Sequence, residues 1–203
     1  MTVTSAQETP MTSTTTSTDA DERADLLAEL AQARHWLVFP TRDLTDEQAA
    51  SRPTVSQLSL GGLIKHVTKV EENWMRFAVH GSSPEEDFEL PEGMSLDDFE
   101  GWIASLDEKP DWLVERENEF RLLPGETLAG VVAAYHETAA RTERTLASLP
   151  DLNVRHALPK APWHEPGTTW SVRRVLIHII AETTQHAGHA DMLREHIDGA
   201  TSM

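Results

Sequence analysis

The chain has 203 residues, 39% of them hydrophobic, with 17 Lys and Arg against 34 Asp and Glu and a formal net charge of −17. That length suffices for one domain with a proper core, and so acidic a surface repels phosphate backbones, which argues against nucleic acid as a partner. Cysteine is absent, which excludes disulfides, thiolate metal ligands and a cysteine nucleophile; any sulfur chemistry must use a thiol brought from outside.

No apolar run approaches the ~20 residues that cross a bilayer, and the first residues lack the basic and apolar regions of a signal peptide. No membrane association and a cytoplasmic location are therefore expected. Residues 1–18 are rich in Thr and Ser and nearly devoid of large apolar side chains. They read as a disordered tail ahead of one folded unit over 19–203. Asp19 or Asp21 caps a first helix that runs to Leu37 with Leu26, Leu30, Ala33 and Leu37 on one face. Pro40 stops it, and residues 45–52 add a turn or short helix before Pro53.

A second helix is predicted from Leu58 to Gly81, with a seam of Leu60, Leu63, Val67, Val70, Trp74 and Phe77 in alternating threes and fours. His66 lies beside that seam, and Gly61 and Gly62 permit close contact with a neighbouring element. Between Phe77 and Glu108 there is no Lys or Arg and much Asp and Glu, which reads as a solvated acidic excursion; it lacks the alternating spacing of a calcium loop. Within the middle of the chain, DFELPEGMSLDDF (residues 87–99) is echoed by EFRLLPGETLAGV (residues 119–131). Each gives a Pro and Gly turn and then Ser or Thr opening a helix, with Ser95 and Asp98 as a capping box. A third long helix follows from Thr127 to Leu149, with Leu128, Val131, Tyr135, Ala139, Thr142, Leu146 and Leu149 as its stripe. Residues 151–169 form a Pro-rich loop in which His164 and Glu165 read as a surface pair.

The last helix, within 170–199, has the seam Val172, Leu176, Ile179, Thr183, His186, Ala190, Leu193 and Ile197, capped by Thr169 or Ser171 and ended by Gly199. One seam position is an imidazole. Glu182 sits a turn below it and about 40° round the barrel, a spacing at which both side chains can close on one ion. His178 competes for the same carboxylate, but it is roughly 80° and about 12 Å from His186, so the two histidines cannot share an ion. The seam favours His186, while an ordinary polar i,i+4 pair remains the plainer alternative. No period-two segment, phosphate loop, nucleophile elbow or HExxH sequence is present. The expected architecture is an all-α bundle of four main helices, with long connections that allow a topology other than up-down-up-down.

The stretches SLGGLIKHVTKVEENW and RRVLIHIIAETTQHAGHADMLREHIDG resemble the DinB/YfiT-like superfamily, and more closely an actinobacterial branch of DinB-like proteins, over residues 21–199. The resemblance implies a four-helix bundle whose metal site takes one His from the second helix and two ligands, four residues apart, from the last. The similar mycothiol-dependent maleylpyruvate isomerase uses Glu followed by His there, which maps onto His66, Glu182 and His186. Three N and O ligands leave an open position, the layout of a catalytic zinc site, although Ni²⁺ and other divalent transition metals suit the same donors. The implied function is a metal-dependent S-transferase or isomerase that uses a small thiol such as mycothiol, with the metal holding the thiolate for attack on an electrophilic substrate. The alternatives are a hydrolase using metal-bound water and a non-catalytic metal-binding stress-response protein. His189 and Asn73 are candidates to orient ligands or substrate, Arg194 is a weaker candidate for a carboxylate of the thiol, and a homodimer is the default assembly.

Overall fold

Apolar residues at helical spacing become the inner faces of four long helices in the computed structural model, which describes residues 15–90 and 93–202. In chain order the helices are α1 (Thr15–Val38), α2 (Asp46–Ala50), α3 (Leu60–His80), α4 (Leu96–Ala104), α5 (Asp111–Glu119), α6 (Leu128–Ser148) and α7 (Val172–Asp198). Their starts follow the sequence: Ser59, Ser95, Thr127 and Ser171 each accept a backbone N–H at their helix start, and Gly199 at φ 76° ends α7. The two echoed stretches do use one device, with Gly93 (φ 79°) and Gly125 (φ 90°) in the left-handed region shortly before the capping Ser95 and Thr127.

Contacts at the helix ends fix the topology. Arg173 pairs with Glu22 at the starts of α7 and α1, and Arg194 near the end of α7 donates to the Pro40 carbonyl (2.8 Å) just beyond α1, so these helices run parallel. Leu63, Ile64 and Val67 of α3 meet Ala187, Ala190 and Leu193 of α7, while Met75, Phe77 and Ala78 meet Val172, Val175 and Leu176; α3 is therefore antiparallel to α7. Lys65 with Glu126, and Thr138 donating to Glu72 (3.0 Å), align α6 with α3 in the same direction. Two successive long helices pointing the same way require a crossover, and residues 81–127 with α4 and α5 supply it.

Three features differ from the sequence reading. Helix α1 opens at Thr15 rather than at Asp19 or Asp21, and the rest of the Thr/Ser-rich tail lies outside the described residues. The buried face of α3 carries Glu71 and Met75 where Val70 and Trp74 were expected. Glu71 is fully buried because Arg34, on the inner face of α1, donates Nε–H to it at 3.2 Å and Thr142 of α6 donates its hydroxyl at 2.6 Å. This layer separates the two apolar clusters, and its groups satisfy one another, as buried charge requires. Finally, the segment predicted as a loop over residues 151–169 supplies one strand and the start of the other in a two-stranded antiparallel ladder, β1 (Arg155–Ala157) with β2 (Thr169–Ser171), too short to show alternation. Among the described residues no helix is long and apolar enough to cross a membrane.

Candidate metal centre

His66 and His186 come from antiparallel helices in contact, and that packing brings their rings to 5.0 Å, edge to face. Glu182, one turn before His186 on α7, places Oε2 at 3.7 Å from His186 Nε2. One donor atom from each of His66, Glu182 and His186 lies within 4.8 Å of the other two. Tetrahedral donors at metal-ligand distance from one ion are about 3.4 Å apart. The His186–Glu182 separation is nearly that already, and side-chain rotations of about an ångström close the set. The donor chemistry suits a divalent metal ion.

Burial first, then the nearby His66, holds the His186 pKa down from 6.5 to about 4, against the opposing pull of Glu182. A neutral imidazole is the form that ligates. Its tautomer is constrained too: His186 Nδ1 is 3.4 Å from His189 Nδ1. A metal ion on Nε2, the nitrogen that faces Glu182, would leave the proton on His186 Nδ1, on the side where His189 lies.

Glu182 is shared. Its Oε1 is 3.8 Å from His178 Nε2, but His178 lies outside the three-donor group. The His178 ring is packed against Trp74 and Trp170 (centroids at 4.7 and 5.1 Å), and burial lowers its pKa. Of the two remaining candidates, Asn73 is exposed on α3, two turns beyond His66. Arg194 is buried two turns beyond His186, where it donates to Asp198 and to the Pro40 and Arg42 carbonyls; it closes the bundle end and is not free for a ligand. His164 stays in its loop, with Nδ1 3.2 Å from the Pro159 carbonyl.

The wall behind His66 was not legible in the sequence. Phe120, just past α5, stacks on the imidazole with centroids 4.1 Å apart and planes at 25°. Glu119 brings Oε2 to 3.4 Å from His66 Nδ1. The approach depends on Gly62: a Cβ there would lie 1.9 Å from the Phe120 carbonyl oxygen. The paired glycines were therefore a usable signal for close contact, but their partner is the backbone after α5 rather than another long helix. A cavity of about 780 Å³ between α3, α5 and α6 adjoins the same carboxylate and is lined by Lys65, Lys69, Glu72, Asn118, Glu119 and Glu126, among others.

Comparison with known proteins shows the family and the fold. A family model described as Mycothiol-S-transferase matches residues 25–199. A conserved protein from Enterococcus faecalis, known from its crystal structure, shares the fold with a TM-score of 0.59 at 15% identity, over 87% of this chain and 97% of that one. No curated protein sequence matches the chain.

Proposed function

The chain belongs to the mycothiol-S-transferase family, with a DinB/YfiT-like bundle, and from that premise we propose that it is a zinc-dependent S-transferase joining mycothiol to a small electrophile in the cytoplasm. Membership gives a metal-dependent, thiol-transferase-like enzyme; the ligand set, the metal, the thiol and the compartment are our reading. The observation that carries it is the convergence of His66, Glu182 and His186 in a chain with no cysteine of its own.

In this reading the three side chains hold the ion. When bound, it supplies a Lewis-acid centre that lowers the pKa of a thiol at an open coordination position. The protein's part is to present two neutral nitrogens and one carboxylate oxygen. Burial keeps His186 unprotonated, and with the metal on Nε2 its Nδ1 proton would point to the neighbouring His189. One carboxylate against a divalent ion leaves a net positive centre, which attracts an anionic sulfur within a protein that otherwise repels anions. Because the rest of the protein is acidic, an electrophile without net negative charge is favoured.

The test is spectroscopic and kinetic. Adding mycothiol to Co²⁺-substituted protein should produce a sulfur-to-metal charge-transfer band, and the thiol should be consumed with chlorodinitrobenzene as electrophile. His66→Ala should abolish both. If neither mycothiol nor other small thiols perturb the spectrum, the transferase assignment falls and a hydrolase using metal-bound water becomes the better reading.

A further inference from the structure

The crossover that makes α3 and α6 parallel also delivers a carboxylate to the metal centre. Helix α5 ends at Glu119, and the next residues lie directly against the first turns of α3. Three features hold them there. Gly62 admits the Phe120 backbone, with no room for a Cβ. Ser59, the cap of α3, donates its hydroxyl to the Phe120 carbonyl at 3.3 Å. Lys65 Nζ donates to the Asn118 carbonyl (3.1 Å) and the Arg121 carbonyl (3.0 Å), bracketing Glu119 and Phe120. Against that clamped backbone, Phe120 covers one face of the His66 ring and Glu119 meets its Nδ1 edge.

We propose that Glu119 is the positioning residue of the metal centre: it accepts the Nδ1 proton of His66, fixes that tautomer and ring orientation, and so presents Nε2 to the ion. The inference rests on His66 being a ligand. A ligating histidine needs its second nitrogen bonded to an acceptor, and a carboxylate is the strongest one available because it also raises ligand basicity. Around His66, Phe120 restrains tilt, while Glu119 restrains spin about the side-chain bond. The Nδ1 of His186 faces His189 instead, so each imidazole has a separate neighbour at its second nitrogen. Glu119 is partly exposed, with a side-chain relative accessibility of 28%, so replacing it leaves no buried unpaired charge.

Zinc affinity measured by chelator competition should fall about 10–100-fold in Glu119→Gln, against near-complete loss in His66→Ala, with the melting temperature of metal-free Glu119→Gln unchanged. In the ¹⁵N-labelled zinc form, the His66 Nδ1 proton should be shifted downfield in the wild type and move upfield in Glu119→Gln, and Glu119→Asp should restore part of both effects. Gly62→Ala, which displaces the Phe120 backbone without removing a polar group, should weaken zinc binding in the same direction. If His66→Ala keeps the ion, the ligand assignment and this proposal fail together. If His66→Ala loses it but Glu119→Gln keeps full affinity and the same proton shift, only the proposal fails. Loss in Glu119→Gln as complete as in His66→Ala, with one fewer light-atom neighbour by X-ray absorption, would make Glu119 a ligand and overturn the positioning role.

Discussion

Ligand readiness and fold stability pull against each other at His186. Burial, supported by His66 and His189 and opposed by Glu182, holds its pKa down from 6.5 to about 4 in the metal-free fold. Unfolded, the same side chain titrates near its ordinary value. Between those limits the unfolded chain binds a proton that the fold does not, so stability is fully present above the unfolded pKa and is lost as pH falls towards the folded one. Each unit of difference is worth about 1.4 kcal/mol, so descending from pH 7 to pH 5 costs the fold on the order of 2 kcal/mol through this group. For a chain of this length, that lowers the melting temperature by about 4–8 °C. The assay is thermal unfolding by circular dichroism on chelator-treated protein at both pH values, wild type beside His186→Leu. Leucine fills the half-buried position and cannot titrate, so the variant should show a pH-induced drop smaller by about 4–8 °C. His178 shifts in the same direction but is common to both proteins. Saturating zinc should stabilise the wild type alone and hold off its loss until protons displace the ion. Equal pH slopes in the two metal-free proteins would refute the argument that His186 is kept neutral by its burial.

The ligand set predicts about one divalent ion per chain by elemental analysis, lost largely in His66→Ala, Glu182→Ala and His186→Ala and kept in His178→Ala; the reverse result for His178 and His186 would move the site one turn along α7. At the polar layer, Glu71→Ala strands Arg34 and should cost about 3–5 kcal/mol in urea unfolding, whereas Arg34→Met with Glu71→Met should recover most of it; a loss below about 1 kcal/mol would mean that water reaches the pair.

How much of this protein its sequence determined follows from the range of the interactions involved. The stripe predicted for α6 is buried from Leu128 to Leu146, and Ser171 and Gly199 bound α7 as expected, because periodicity and capping act within a few residues. Glu182 and His186 were legible for the same reason: a four-residue spacing on one helix is a local fact. Spacing placed His66 beside its seam, so that two facing seams would bring it towards the other two, and a resemblance to DinB-like proteins added the match to a ligand set. Tertiary structure decided the rest. Glu71 broke the expected face of α3 because its partner Arg34 lies 37 residues away, on another helix, and a charge reads as outward until that partner is known. Glu119 and Phe120 reach His66 across more than fifty residues of chain, through a backbone contact that only the missing side chain of Gly62 permits. Periodicity reports which way a side chain faces on its own helix; what stands opposite depends on how the helices and their crossover pack.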